Sequence, residues 1–282
     1  MKRYISIILI FNIALVVRAQ SVLSFGARGG LEFPLPKCGQ PAKAESGWAG
    51  VFDIGYTYYR STYSSGDWGI HTGASFGYAQ NHTLLDFSQQ YSNYDYLRHE
   101  MLYTTSGSVN ADLQRLYVEV PVMGAFRYKG FVAQIGMKAQ CAVWSKSNQT
   151  LDNPVIDAYY VSYAVHVTDE LITGLASSGD LQKSYADVAP RMNILAAARI
   201  GGEFMVGRSG LMGIMVYIDY NVWNTSPYKS SRTLIAVAPI TDAAYPVPAV
   251  TVNSAFTSLI SRINPLQAGI TLYYAIDFSS LK

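Results

Sequence analysis

The 282-residue sequence is poor in charge and in cysteine: 14% of its residues are Asp, Glu, Lys or Arg, and two are Cys. Two thiols, Cys38 and Cys141, are too few for a disulfide framework, and neither has metal-ligand or redox spacing. Basic residues are not in excess either. Setting aside Lys2, Arg3 and Arg18 of the leading segment reduces 21 basic residues to 18, against 19 acidic ones. That balance gives no electrostatic case for a nucleic-acid partner. After residue 19 no run of about 18 apolar residues occurs, which excludes a membrane-spanning helix there. No glycine-rich phosphate loop and no metal-spaced set of His or carboxylates is visible, so the expectation is no cofactor and no metal.

Residues 1–19 read as a cleaved secretory signal. Lys2 and Arg3 form its charged start, Ile5 to Val17 is almost wholly apolar, and Val17-Arg18-Ala19 offers a small residue before Gln20. The apolar run is short of the roughly 20 residues a spanning helix needs. Residues 20–282 are then expected to form one domain.

Half of the residues are hydrophobic, and 22 are Tyr. Their arrangement is the signal. Between 131 and 143, Phe131, Ala133, Ile135, Met137, Ala139, Cys141 and Val143 share one face, while Gln134, Gly136, Lys138 and Gln140 share the other. A period of two is a β-strand. Eight such spans recur, at 22–33, 48–60, 68–78, 115–128, 131–144, 191–206, 211–223 and 265–278. Each exceeds the roughly 9–11 tilted residues that cross a hydrocarbon layer. Their connectors run to 14, 7, 36, 2, 46, 4 and 41 residues. Alternating long and short connectors predict an all-β, antiparallel transmembrane barrel of eight strands, with ten as the alternative. The same asymmetry predicts periplasmic termini, short periplasmic turns and long extracellular loops. Within those loops, 155–167, 233–238 and 247–256 also alternate, predicting strand extensions or small hairpins. Thr168-Asp169-Glu170 predicts a helix start leading into 171–185.

Aromatic rings settle at membrane interfaces. Trp48, Trp144 and Trp223 fall at the expected external strand ends, with Trp68 and Phe278 at the periplasmic ends, so these five are the expected girdle. The less apolar face should point into the barrel. It carries Arg28, Glu32, Asp53, Glu119, Arg127, Lys138, Arg199, Glu203 and Asp219, together with His71, Gln134 and Gln140. Eight strands enclose a lumen just wide enough to be filled by side chains. Opposite charges there should pair, because an unpaired buried charge is costly. The register across the Lys129-Gly130 turn predicts a Glu119–Lys138 contact, open to sharing with Arg199 or Arg28 from across the lumen, with Arg127 lower, near Val132 and Gln134.

Catalytic groups are sparse. His71 and Ser75 share a face but lie roughly 13 Å apart by strand rise, too far for a nucleophile–base bond. His82 and Asp86 are a candidate pair with no accompanying oxyanion hole. No catalytic residue is expected, nor an enzyme.

Three stretches carry a resemblance: Leu116-Tyr117-Val118-Glu119-Val120-Pro121 ahead of the Lys129-Gly130 turn, Phe131 to Gly136, and Ala268 to Phe278. Together with the leading segment they resemble the outer-membrane β-barrel or porin-family (PorT-like) proteins typical of Bacteroidota. The resemblance implies a barrel of eight to ten strands, inserted by the outer-membrane barrel assembly machinery through a final strand ending in an aromatic residue. Phe278 supplies that aromatic, with Ser279 to Lys282 following. The family name does not establish a pore.

The expected function is therefore a non-enzymatic integral outer-membrane barrel with a filled lumen. Its partners would be outer-membrane lipid and, at loops carrying Tyr91, Tyr94, Tyr96, Tyr159, Tyr160 and Tyr163, a glycan or protein ligand. The alternatives are a narrow channel or secretion-associated component and, behind these, a lipid hydrolase.

Overall fold

The computed structural model describes residues 19–38, 42–62, 66–95, 97–167, 181–186, 188, 191–225, 233–237 and 250–278. In chain order these form β1 (Ala19–Phe33), β2 (Pro36–Cys38), β3 (Ala42–Thr62), β4 (Gly66–Tyr94), β5 (Glu100–Tyr128), β6 (Phe131–Tyr160) and β7 (Val165–Val167). After these come β8 (Leu181–Ala186), β9 (Met192–Val206), β10 (Gly210–Asn224), β11 (Ile235–Val237), β12 (Val250–Val252), a single helical turn α1 (Ala255–Ser258), β13 (Ile260–Ile263) and β14 (Leu266–Asp277).

Eight of these strands close a ring. It runs β1–β3–β4–β5–β6–β9–β10–β14 and returns to β1, every pair antiparallel. Two more strands, β7 and β8, hang from β6 without entering the ring. The expected eight-stranded antiparallel barrel is therefore the observed fold. One end of the barrel has tight connections. Lys129 and Gly130 both take positive φ, 49° and 83°, the two-residue turn whose twist matches the flanking strands. This is the turn end; the opposite one is the long-strand end.

Inside the ring the alternation has the expected phase. Ile135, Met137, Val120, Val122, Phe52 and Phe76 face outward and are exposed. Glu119, Lys138, Asp219 and Arg28 face inward and are buried. Past a certain level on β4 and β5 the chemistry exchanges faces, and on β6 the outward face turns polar while the inward Ser145, Ser147 and Gln149 stay polar as far as Leu151. On β4 the outward residues change from Ile70, Phe76 and Tyr78 to Gln80, His82 and Asp86, while the inward ones change from His71 and Ser75 to Leu85 and Phe87. On β5 the outward Val120, Val118 and Leu116 give way to Gln114, Asp112 and Asn110, and Leu113, Ala111 and Val109 take the inside.

Register shifts lie at the level of the exchange, each beside a tryptophan: at Glu45/Trp48 in β3, at Ala142/Trp144 in β6 and at Asn221/Trp223 in β10. A bulge adds one residue to one strand and re-aims its side chains. Here it turns Trp144 and Trp223 outward against the parity of their strands, while Trp48 keeps the outward parity of Phe52 and Ile54; the three indoles are 43–52% exposed.

The exchange corrects the expected loops. The 36- and 46-residue connectors are mostly strand: β4 and β5 run to 29 residues each and β6 to 30. Their inward apolar side chains form a second core with the last long connector. Leu85, Phe87, Val109, Leu113 and Leu151 pack with Leu234, Ile235, Phe256, Ile260 and Ile263. Amide side chains pin that connector in place. Gln149 Oε1 accepts from Ala255 N at 2.9 Å, Gln89 Oε1 accepts from Leu234 N at 2.6 Å, and Asn93 Nδ2 donates to Val237 O at 2.8 Å. The expected small hairpin elements appear as β7 and as the β11–β12 pair. The expected helix start at 168–170 lies outside the described residues. Where its helix was to continue, 181–185 is strand, because β8 satisfies its backbone on the free edge of β6 from Lys146 to Leu151.

An arginine separates the two zones experimentally. Ile135→Arg, on the outward face below the exchange, should lower folding stability in lipid vesicles by about 2–4 kcal/mol. Gln114→Arg, on the outward face above it, should leave folding unchanged. Equal losses in urea titrations of the two variants would contradict the assignment of the apolar zone.

Candidate functional site

The nine ionisable residues expected in the lumen are placed there in three separate tiers rather than one network. The central tier is organised by Arg28 of β1, whose guanidinium is fully buried. Its Nε donates to Asp53 Oδ2 of β3 at 2.8 Å and its Nη1 to Asp219 Oδ2 of β10 at 3.0 Å. Its Nη2 donates to Glu119 Oε2 of β5 in a short contact. Tyr217 supplies an aromatic face 5.3 Å from the guanidinium carbon. Lys138 of β6 donates to Asp219 Oδ2 at 2.5 Å and stands 4.0 Å from Glu119 Oε2. The Glu119–Lys138 contact expected from the hairpin register is thus the weaker one, and Glu119 is held chiefly from across the lumen. Gln140 Nε2 donates to Glu119 Oε1 at 2.9 Å, and Asn193 Nδ2 to Gln140 Oε1 at 2.8 Å. Arg199 of β9 lies 3.9 Å from Asp53 Oδ1, which also accepts from Ser75 Oγ.

Formally, three cations (Arg28, Lys138, Arg199) meet three carboxylates (Asp53, Glu119, Asp219) from six strands. A buried carboxylate without its cation would carry an uncompensated desolvation cost. Charge-assisted bonds to a planar guanidinium are the form of pairing that offsets it best.

Toward the long-strand end, Glu32 accepts from Arg115 Nη2 at 2.5 Å, Asn81 Nδ2 at 2.6 Å and Gln267 Nε2 at 2.5 Å. Toward the turn end, Arg127 lies 3.4 Å from both Glu203 and Asp67 and 3.7 Å from Asp277, over the ring of Tyr59. Tyr273 donates to Glu203 at 3.1 Å. Arg115, Asp67 and Asp277 were not among the expected residues. The parity of Arg115 with Tyr117 and Glu119 is the signal that places it inside. Small residues make room for the large ones. A Cβ on Gly77 would lie 2.5 Å from the Tyr117 ring, and one on Gly30 would lie 2.6 Å from the Tyr217 hydroxyl.

Between the central and turn-end tiers is a cavity of about 30 Å3 lined by Asp53, His71, Gln134, Arg199, Thr271 and Tyr273, among others. Three of its lining residues carry buried polar atoms without a hydrogen-bond partner: Gln134 Oε1, Arg199 Nε and Nη2, and Thr271 Oγ1. The space and its polar walls suit water.

The histidines do not assemble a hydrolytic site with the expected partners. His71 Nδ1 is 2.8 Å from Thr57 Oγ1, and Ser75 Oγ is taken by Asp53. His82 pairs with Asp112 at 2.6 Å and faces Glu45 at 3.8 Å, not the expected Asp86, because register sets Asp112 and Glu45 directly opposite it. Among the described residues no group of His, Cys, Asp and Glu could hold a metal.

The tyrosines expected to serve recognition divide in two. Tyr91 stacks on Tyr103 at 5.5 Å, and its hydroxyl accepts from Val237 N at 2.8 Å, so it belongs to the interior. Burial pushes the Tyr103 hydroxyl up to about 12 and also raises Tyr91. Tyr94 and Tyr163 are exposed; Tyr159 packs on His166 and Tyr160 on Tyr163. Tyr96 lies outside the described residues. Trp48, Trp68, Trp144, Trp223 and Phe278 are all exposed on the outer surface, with Trp48 against Tyr78 and Trp68 against Phe126. Trp68, Trp223 and Phe278 lie near strand ends, whereas Trp48 and Trp144, expected there, lie within β3 and β6 because those strands continue past them.

The fold and its charged interior define a closed eight-stranded β-barrel with a filled lumen. No protein-family model matches the chain, and no curated protein matches it. Among solved structures it is similar to the outer membrane protease OmpT from Escherichia coli, at 7% identity over 93% of this chain and 97% of that one, with a TM-score of 0.31. It is also similar to the CymD monoaromatic hydrocarbon channel, at 8% identity over 94% and 90% of the two chains, with a TM-score of 0.17.

Removing the central cation tests the knot. Arg28→Ala should destabilise the barrel by about 3–5 kcal/mol, since three buried carboxylates lose their shared partner. Arg28→Ala combined with Glu119→Ala should recover part of that loss. Urea unfolding followed by tryptophan fluorescence measures both, and an absence of coupling in the cycle would eliminate the pair.

Proposed function

We propose that this chain is an integral outer-membrane β-barrel without catalytic activity, closed to solute flow, with its turn end in the periplasm and its long-strand end outside the cell. The extended β4–β5–β6 sheet and the connector packed on it would form the external body that makes surface contacts or supports envelope integrity. The observation that carries this reading is the double closure of the lumen. A fully buried ion-pair tier spans the middle, and an apolar core from Leu85 to Ile263 fills the space beyond it. Membrane insertion is supported by the outward apolar zone, where Ile135 is 72% exposed and Val122 60%, bounded by outward indoles. Phe278, exposed directly after β14, is the aromatic that the assembly machinery would read.

A narrow conduit, including a secretion-associated role, is the second reading. The polar cavity of about 30 Å3 beside Arg199 favours it, because it interrupts the packing between two tiers.

Planar-bilayer recording of the purified, refolded protein separates the two. The closed barrel gives silent traces at physiological salt and moderate voltage. Steady openings of reproducible size from the unmodified protein would overturn the closed reading in favour of the conduit.

A further inference from the structure

The outward face just beyond the tryptophan level of β3–β6 turns polar. Here, register aligns three successive rows in which amides and hydroxyls are mixed with charges of both signs. Gln80, Gln114 and Lys146 stand opposite one another in the first row, and Glu45, His82, Asp112, Asn148 and Ser184 in the second. Lys43, Leu84, Asn110 and Thr150 follow in the third. The first row lies one outward position beyond Tyr78, Leu116 and Trp144. Its members therefore sit where the headgroups of an outer leaflet would meet the barrel.

A depression of about 530 Å3 opens in these rows, lined by the outward Asn110, Asp112, Asn148, Thr150 and Ser184 and by Gln149 and Lys183, which pair with each other and have the opposite parity. That volume is within the range of ligand sites, about 300–1,000 Å3. Its chemistry selects among headgroups. Amide and hydroxyl side chains both donate and accept, the match for a polyol whose hydroxyls do the same. The nearby charges are mixed: Asp112 is already paired with His82 at 2.6 Å, and Ser184 donates to Asn148 at 2.9 Å. A phosphate site would instead need an excess of Arg or Lys.

We propose that this depression binds the saccharide headgroup of a glycolipid in the outer leaflet, gripping the sugar residues that lie nearest the acyl region. The proposal rests on the membrane orientation given above.

The test uses the full chain refolded in detergent and then in vesicles, with three purified probes: lipopolysaccharide carrying its inner-core sugars, lipid A alone, and the released core oligosaccharide. Insertion is measured first, by vesicle flotation and by protection of the barrel from protease. The expected result is that core-bearing lipopolysaccharide half-saturates the protein at a concentration about tenfold below lipid A. Asn148→Ala with Asn110→Ala should abolish that preference, while Gln90→Ala, outward but farther up β4, should keep it. Equal binding of lipid A and the core-bearing form by an inserted protein would overturn the headgroup site and leave the barrel reading standing. Unchanged preference in the double variant would overturn it at this depression. Released oligosaccharide binding as tightly as the glycolipid would overturn the assignment in favour of a soluble glycan. Failure of the chain to insert would overturn this proposal and the membrane reading together.

Discussion

One guanidinium organises this molecule. Arg28 meets carboxylates from β3, β5 and β10 at once, and Lys138 and Arg199 bring β6 and β9 into the same tier. The guanidinium brings five donors on a rigid planar fork to these acceptors, where an ammonium would bring three from a single atom. The arrangement fixes more than charge. A one-residue slip in any of these strands would carry its inward residue to the outside face, so the knot and the register of the ring depend on each other. The small residues beside it follow from the same demand, since Gly30 and Gly77 leave space for the tyrosine rings near the guanidinium and the Glu32 tier.

The second constraint is the exchange of faces along β4 and β5, followed by β6 at Leu151. A strand that stays continuous through two surroundings must keep its hydrogen bonds while its side chains change solvent. Below the tryptophans the outside is apolar and the inside is paired charge. Above them the outside is amide, hydroxyl and mixed charge, and the inside is an apolar core closed by the last connector. The bulges beside Trp48, Trp144 and Trp223 lie on β3, β6 and β10, while β4 and β5 pass the transition with their pairing to each other uninterrupted. A single fold thus holds two cores of opposite character, and the lumen is filled through both.

This inversion also explains what the sequence could and could not convey. The eight ring strands were legible because one uninterrupted apolar face ran along each, and their expected limits fall within a few residues of the observed ones at the turn end. At Tyr78 and Leu116 the apolar face stops, which reads as the end of a strand; in fact the alternation continues with its faces exchanged. The inward residues were legible from parity alone. Their partners were legible in part: local register couples Glu119 to Lys138 and leaves Arg28 or Arg199 to share it from across the lumen, but nothing local signals that Arg28 also takes Asp53 and Asp219, 25 and 191 positions away. Arg115 was passed over at the margin of a span judged to begin there, although its parity matches that of Glu119. Tyr91 was read as a loop residue for the same reason that its strand was read as a loop.

The central claim is that Arg28 is locked and dry in the middle of a closed barrel. Its side-chain N–H groups report on this directly. In protein labelled with nitrogen-15 at arginine and held in a lipid environment, exchange with deuterated water can be followed for each guanidinium. The account predicts that the Arg28 Nε–H and Nη–H protons are resolved individually and persist far longer than those of Arg208, which lies exposed in the Gly207–Gly210 turn. Exchange of the Arg28 protons as fast as those of Arg208 would contradict it, because water would then be passing beyond the small cavity at Asp53 and Arg199 to Arg28 itself.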